Sequence, residues 1–151
     1  MDHPKIQIFY ATVSGTARSV SEALQLAHAG QISSVRDLHD TTADQVFAAN
    51  TGPVLMCIST TGAGNFPDDM LHVFDSLATA PRYLGEFRYG LIALGDSSYG
   101  TTFCGGGTSF DAALQDLGAK RVGEILRIDA IETNNPEEIA VGWFGRWLSL
   151  L

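Results

Sequence analysis

The stretch Tyr10-Ala-Thr-Val-Ser-Gly-Thr-Ala17 follows directly on the apolar residues Ile6, Ile8 and Phe9 and decides how the chain folds. It predicts a strand, then a short loop, then the start of a helix. Backbone N–H groups at a helix N-terminus lack intrahelical partners and carry partial positive charge, so such an end attracts anions. Gly15 permits a close backbone approach. Three hydroxyl donors accompany it, at Thr12, Ser14 and Thr16. Because the loop contains no lysine, an anion here would be held by neutral donors; the same hydroxyl residues are also ordinary N-caps.

The length and composition of the chain favour one folded domain spanning residues 1–151. Its hydrophobic content of 45% is sufficient for a packed core. No apolar run approaches the roughly 18 residues that a transmembrane helix needs. The first five residues lead straight into the first strand and leave no room for a signal peptide, so we expect a cytoplasmic protein.

The charge and the cysteines narrow the possible partners and ligands. A net charge of −8 argues against nucleic acid and against an anionic membrane surface. The same charge suits a partner with a basic face, although solubility alone would also explain it. Cys57 and Cys104 have no metal-ligand spacing, and Cys57 lies in an apolar run that predicts a core thiol.

Apolar runs alternate with helical patterns along the whole chain. Strands are predicted at Ile6–Tyr10, Ile32–Leu38, Pro53–Ile58, Arg88–Leu94 and Val122–Ile128. Helices are predicted over 15–29 with Gly30 as C-cap, over 67–80, before Gly118 and from Pro136 onward, with a short helix or irregular segment over 40–50. The predicted inner face of the first helix is Ala17, Val20, Leu24 and Ala27, and that of the last is Ile139, Trp143, Phe144, Trp147 and Leu151.

This alternation predicts a parallel sheet covered by helices on both faces. Ligands of such sheets bind at the carboxyl ends of the strands, near the switch in strand order. Two further loops matter there. Ser59–Asp69 contains two glycines, and Gly95–Gly107 contains Tyr99 and Phe103, on which a planar ligand could stack unless they fold back on the surface. An anion loop, a glycine loop and an aromatic loop together suit a mononucleotide such as FMN.

These three loops, Y-A-T-V-S-G-T-A, S-T-T-G-A-G-N-F-P-D-D and L-G-D-S-S-Y…F-C-G, resemble the FMN loops of flavodoxins. The nearest resemblance is to the small stand-alone MioC-type flavodoxins and to the flavodoxin domains of cytochrome P450 reductases. It covers essentially the whole chain. It implies an α/β flavodoxin-like three-layer fold, with a five-stranded parallel sheet in the order 2-1-3-4-5 and helices on both faces.

The resemblance also implies which residues bind the cofactor. The phosphate would be held by Thr12, Val13, Ser14, Gly15, Thr16 and Ala17. One face of the isoalloxazine would be lined by Ser59, Thr60, Thr61, Gly62 and Ala63. The other face would be held by Leu94, Gly95, Asp96, Ser97, Ser98 and Tyr99, with Phe103 and Cys104, and Tyr99 would be the stacking ring. The Gly62–Ala63 peptide would flip to hydrogen-bond flavin N5 on its protonation.

Two features depart from the family pattern. Thr61 stands where many relatives place an aromatic residue, so one flavin face is expected to be more solvated and the reduction potential less negative. The Tyr99–Phe103 spacing is one residue longer than in the MioC type, which bears on where Phe103 and Cys104 lie.

The function that the resemblance implies is electron transfer by FMN. Single electrons would pass from a basic-faced NAD(P)H-dependent reductase to an acceptor protein, through the semiquinone and hydroquinone flavin. Asp68, Asp69 and Asp96 would guide the reductase, although the first two equally cap a helix, and Asp129 could approach the ring. We expect a monomer that binds neither nucleic acid nor membrane, and an electron-transfer protein rather than a stand-alone enzyme. Two alternatives remain: an FMN-dependent NAD(P)H:quinone oxidoreductase, or an interaction module that has lost flavin.

Overall fold

The computed structural model describes residues 5–47, 52–61, 65–95, 104–129 and 132–151. The strands are β1 (Ile6–Ala11), β2 (Ile32–Asp37), β3 (Val54–Ile58), β4 (Arg88–Gly95), β5 (Lys120–Arg121) and β6 (Leu126–Asp129). The helices are α1 (Thr16–Ala27), α2 (Ala43–Val46), α3 (Leu71–Thr79), α4 (Gly105–Asp116) and α5 (Pro136–Leu148). Two 3₁₀ turns, Leu38–Asp40 and Asp68–Met70, precede α2 and α3.

All strand pairs are parallel, and the sheet runs in the order β2-β1-β3-β4, with β5 and β6 both paired to the outer side of β4. Since β5 and β6 together occupy the fifth position, the predicted 2-1-3-4-5 order is confirmed. The order reverses between β1 and β3, which places the switch point at the carboxyl ends of these two strands.

The fifth strand is broken, and the prediction of one strand over Val122–Ile128 is wrong between 122 and 125. Gly123 has a φ of 72°, a left-handed conformation that turns the chain out of the ladder. Arg121 Nε donates to the carbonyl of Gly123 at 3.1 Å. The indole N–H of Trp147 donates to the carbonyl of Val122 at 3.0 Å, so a side chain of α5 takes the place of a strand partner.

Two hydrophobic cores cover the two faces of the sheet and give the three predicted layers. Alternate residues of a strand face opposite sides, so Leu55 packs towards α1 and α5 whereas Met56 packs towards α2, α3 and α4. Every residue of β3 is buried, as a central strand covered on both faces requires. Cys57 is fully buried in the α1–α5 core, as predicted.

The buried helix faces differ in detail from the predicted ones. Helix α1 ends at Ala27, which is exposed although it was predicted on the inner face, and the C-cap is His28 instead of Gly30. In α5 the buried residues are Ala140, Phe144 and Trp147, whereas Ile139 is 41% exposed. Trp147 fixes this rotation of α5, because a Cβ placed on Gly90 would lie 2.5 Å from its ring. In the part of the chain that the structure describes, every helix is too short or too polar to cross a membrane.

Candidate functional site

A cavity of about 350 Å³ opens at the carboxyl edge of the sheet, where the N-termini of α1 and α5 meet. Its walls come from four connections, and its lining residues are Val13, Ser14, Thr16, Ser59, Thr60, Leu94, Gly95, Ile128, Thr133 and Pro136. The volume is within the range of small-molecule sites, about 300–1,000 Å³. The structure thus brings the three predicted loops together at one place.

The loop predicted to bind phosphate presents a helix end without a side-chain cap. Gly15 is the N-cap of α1, with φ 95° and ψ −7°, and as a glycine it has no side chain that could accept from the first turn. The N–H of Gly15 itself donates to Thr12 Oγ1 at 2.7 Å, which fixes the loop from within. Among the described residues, a Cβ at Gly15 would meet no atom within 4 Å. The first-turn N–H groups of α1 lie beside the cavity that Ser14 and Thr16 line, an open cradle that suits an anion. Ala17, predicted with this loop, is fully buried in the core under α1.

At the second helix end beside the cavity, the N-terminus of α5, residues of the helix itself offset the partial positive charge. Asn135 caps α5 by accepting from the N–H of Glu138 at 3.3 Å. Pro136 begins the helix without an N–H, and Glu137 and Glu138 place two carboxylates in its first turn. Of the two helix ends, α1 is therefore the one that favours an anionic ligand.

Three lining residues were not predicted from the sequence: Ile128, Thr133 and Pro136. They lie at the end of β6 and in the connection to α5, outside the three predicted binding loops. The predicted fifth strand was a sequence signal for these residues, because a fifth parallel strand must end at the same edge of the sheet as the others. Thr133 is held at this edge by its N–H, which donates to the carbonyl of Asp129 at 3.2 Å. Asp129 is buried at the end of β6, and its approach to a flavin ring stays a prediction.

The loop after β3 is closed by Thr61. The N–H of Thr61 donates to the carbonyl of Asn65 at 2.8 Å, and Thr61 Oγ1 accepts from the N–H of Asn65 at 3.2 Å. Ser59 is buried and donates its N–H to the carbonyl of Ala11 at 3.0 Å, which ties this loop to β1. Gly62 and Ala63 lie outside the described residues, and so does the predicted peptide flip.

The structure describes only the two ends of the loop after β4. Leu94 and Gly95 line the cavity, whereas the predicted contacts Asp96, Ser97, Ser98, Tyr99 and Phe103 lie outside the described residues. Cys104 is fully buried beneath this edge and does not line the cavity. Its thiol donates to the carbonyl of Ala93 at 3.3 Å, and burial raises the pKa of the Cys104 thiol to about 11. This cysteine therefore packs as a neutral thiol at pH 7.

The described lining of the cavity consists of uncharged residues, so the local field comes from helix dipoles and from charges around the rim. Arg18, the cation nearest in sequence to the α1 end, is solvent-exposed and pairs with Glu22 at 2.8 Å. Asp68 and Asp69 are exposed in the 3₁₀ turn before α3, with Asp69 3.6 Å from His39 Nδ1. Within the described ranges, no group of His, Cys, Asp and Glu could hold a metal ion.

An FMN phosphate fits this arrangement on two structural grounds. The uncapped end of α1 offers open N–H groups beside the hydroxyls of Ser14 and Thr16. The remaining lining, which includes Leu94, Gly95 and Ile128, is small or apolar, which suits a flat ring system. Fold and site together define a mononucleotide-binding α/β protein.

Comparison with known proteins assigns the family. The flavodoxin family model matches residues 8–143. The chain is 40% identical over 147 residues to Flavodoxin YqcA of Pectobacterium carotovorum subsp. carotovorum, covering 97% of each protein. It is 33% identical over 148 residues to Protein MioC of Escherichia coli O157:H7, again covering 97% of each. A cysteine-to-serine variant of the flavodoxin from Pseudomonas aeruginosa superposes with a TM-score of 0.84 at 32% identity, covering 97% of this chain and 98% of that one.

The chain belongs to the flavodoxin family, and it is an FMN-binding electron carrier. The predicted family resemblance, including that to the MioC type, is confirmed, and the identity to YqcA exceeds that to MioC.

Proposed function

We propose that the cavity at the carboxyl edge holds FMN with its phosphate at the N-terminus of α1. Residues 12–17 would bind the phosphate, and Ser59–Thr61, Leu94 and Gly95 would line the remainder, completed by residues 62–63, 96–99 and 103. The observation that carries this assignment is the uncapped end of α1 beside the hydroxyl-rich wall. FMN supplies the one-electron chemistry when it is bound.

The residues of the chain determine how the cofactor is held. Thr12 fixes the N–H of Gly15, so the next N–H groups of α1 stay aimed at the cradle without reorganisation. Ser14 and Thr16 add neutral donors, and the described lining brings no cation to offset the phosphate charge. The phosphate would therefore be bound by dipoles and hydrogen bonds against the repulsion of a net charge of −8, and added salt, which screens this repulsion, should strengthen the binding of FMN.

We propose further that the electron donor is an NAD(P)H-dependent reductase with a basic docking face and that the acceptor is another protein. The net charge of −8 and the exposed Asp68 and Asp69 support this, since acidic surfaces speed encounters with basic ones. We place the protein in the cytoplasm as a monomer, with residues 1–151 acting as one FMN-binding domain. Both hydrophobic cores pack on one sheet, which supports the single domain.

An FMN titration followed by absorbance and intrinsic fluorescence tests the binding mode. Riboflavin, which lacks the phosphate, should bind more weakly than FMN. Tyr99→Ala should weaken both ligands and alter the visible spectrum of bound flavin, because stacking on an aromatic ring is lost. Tyr83→Ala is the matched control, since Tyr83 is 84% exposed and belongs to a groove remote from the cavity lining. Equal effects of the two substitutions would reject the assignment of Tyr99.

Steady-state kinetics distinguishes a carrier from an enzyme. The FMN-loaded protein alone should not oxidise NAD(P)H in the presence of a quinone, and turnover should begin when an NADPH-dependent flavodoxin reductase is added. The rate of electron transfer should fall as salt is added, because steering between opposite charges is screened. Quinone reduction without a reductase would instead assign the oxidoreductase alternative, and a rate independent of salt would reject the charged docking face.

A further inference from the structure

Helix α4 is capped by a residue that is distant in sequence. Its own N-cap, Cys104, has a φ of 58° and offers no side-chain hydrogen bond to the first turn. The N–H of Gly106, in that turn, instead donates to Thr60 Oγ1 at 3.2 Å, across 46 positions of sequence. A hydroxyl from the loop after β3 thus does for α4 what a local Ser or Thr normally does.

Gly106 also brings the backbones of the two segments into contact. A Cβ at this position would lie 2.5 Å from the carbonyl oxygen of Ser59, 2.9 Å from Cα of Phe66 and 3.1 Å from the carbonyl oxygen of Asn65. These are backbone atoms, which cannot swing aside as the end of a side chain can. Glycine is therefore required wherever the loop after β3 and the first turn of α4 meet this closely.

The same turn of α4 is seated on β4. A Cβ at Gly107 would lie 2.7 Å from Cβ of Ala93, and the thiol of Cys104 donates to the carbonyl of Ala93. Ala93 immediately precedes Leu94 and Gly95, which line the cavity. Through α4, the hydroxyl of Thr60 therefore connects the end of β3 to the end of β4, the two strand ends from which the ring-binding loops leave.

We propose that Thr60 is a positioning residue that locks the loop after β3 onto α4, so that the two ring-binding segments form one unit. This inference rests on the proposed FMN site. Thr60 also lines the cavity, and its hydroxyl oxygen accepts from the N–H of Gly106. Its main effect on flavin is exerted through α4 and Gly106, in addition to any direct contact.

Thr60→Val keeps the shape of the side chain and removes the acceptor. The loop and α4 then lose one net hydrogen bond, and FMN has to restore their alignment when it binds. The dissociation constant of FMN should rise about fivefold, the factor that corresponds to one net hydrogen bond. Riboflavin should lose affinity by the same factor, because the change lies at the ring end and not at the phosphate. Thr60→Ser keeps the oxygen and should restore both affinities.

Two further variants test the coupling. Gly106→Ala pushes the two backbones apart and should weaken FMN binding at least as much as Thr60→Val does. The double variant should lose less binding free energy than the sum of the losses in the two single variants. Thr108→Val is the matched control, because Thr108 Oγ1 donates to the carbonyl of Gly105 in the same turn and does not line the cavity. Its FMN affinity should match that of wild type.

The experiment titrates FMN and riboflavin into each variant and follows amide hydrogen exchange of residues 105–108. Riboflavin should slow exchange of the Gly106 amide in the wild-type protein, a readout that remains if Thr60→Val fails to fold. The proposal would be overturned if Thr60→Val bound FMN and riboflavin as tightly as the wild-type protein does. It would also be overturned if Thr60→Val lost affinity for FMN alone. So would a fall in apoprotein stability with unchanged affinities, which is what a purely structural role predicts. If the wild-type protein binds neither ligand, the proposed FMN site itself is wrong.

Discussion

Replacing Gly15 by alanine tests how the phosphate end of the site is built. Gly15 has a φ of 95°, which disfavours every residue with a Cβ, and a Cβ there would meet no atom within 4 Å. The substitution is therefore free of steric clash with the described residues, and its cost comes from the backbone alone. For a left-handed alanine this cost is about 1–2 kcal/mol.

That cost appears either as a loss of apoprotein stability or as a loss of FMN affinity. If the introduced alanine keeps the left-handed conformation, the N–H at position 15 still donates to Thr12 Oγ1, and the apoprotein loses about 1–2 kcal/mol of unfolding free energy. If the loop relaxes, the apoprotein keeps its stability, and FMN must restore the conformation when it binds. The dissociation constant of FMN then rises about 5- to 30-fold. In both cases the FMN-loaded protein is about 1–2 kcal/mol less stable than wild type at the same FMN concentration.

Urea denaturation with and without FMN, combined with FMN and riboflavin titrations, separates the two cases. Gly30→Ala and Gly145→Ala are matched controls, because a Cβ at either position also meets nothing within 4 Å and neither residue has a positive φ. Gly145 lies inside α5, so its replacement should stabilise the protein by about 0.5–1 kcal/mol. The reasoning is refuted if FMN-loaded Gly15→Ala is as stable as Gly30→Ala and binds FMN like wild type.

Three further predictions concern the core, the ring environment and alkaline pH. Trp147→Phe should lower the free energy of unfolding, measured by urea denaturation, by about 2 kcal/mol or more, because it leaves a cavity in a fully buried site and removes the donor to the Val122 carbonyl. Trp143→Phe, at a half-buried position, should lower it clearly less. Thr61→Trp should make the reduction potential of bound FMN more negative by covering a ring face. Thr61→Ser keeps the oxygen that accepts from the N–H of Asn65 and should leave the potential unchanged. Equal potentials for Thr61→Trp and the wild-type protein in potentiometry would contradict this. Burial raises the pKa of the Cys57 thiol from 9.0 to about 12, so the unfolded thiol ionises first and stability is lost as pH rises from 9 to about 12. Cys57→Ala should remove a slope of about 1.4 kcal/mol per pH unit from that window, and an unchanged slope would reject the buried thiol as its source.

The sequence predicts the sheet well because its strands carry strong local signals. The run Val54–Ile58 has no polar residue, and the structure buries all of it. The β1–α1 loop is equally local: Thr12, Gly15 and the start of α1 lie within five positions, and the hydrogen bond that fixes the loop spans three. Features that depend on neighbours in sequence are accessible to pattern and propensity.

Two of the failed predictions, and two lining residues that the sequence did not reveal, depend on partners elsewhere in the chain. The break after Arg121 is stabilised by Trp147 of α5, which no local pattern around Gly123 announces. The rotation of α5 that exposes Ile139 follows from the space left by Gly90 in β4. Thr133 and Pro136 enter the cavity because α5 packs beside α1. Each of these is a tertiary contact that overrides a local preference.

The two ends of the cavity are accordingly built in different ways. The phosphate end is made by one loop and the helix that follows it, through Gly15 and Thr12. The ring end is assembled from distant segments, through Ser59 on Ala11 and Thr60 on Gly106. A substitution that loosens tertiary packing should therefore disturb the ring before the phosphate. Its first sign should be a loss of riboflavin affinity that matches the loss for FMN, because the phosphate contribution, which is the difference between the two ligands, is left intact.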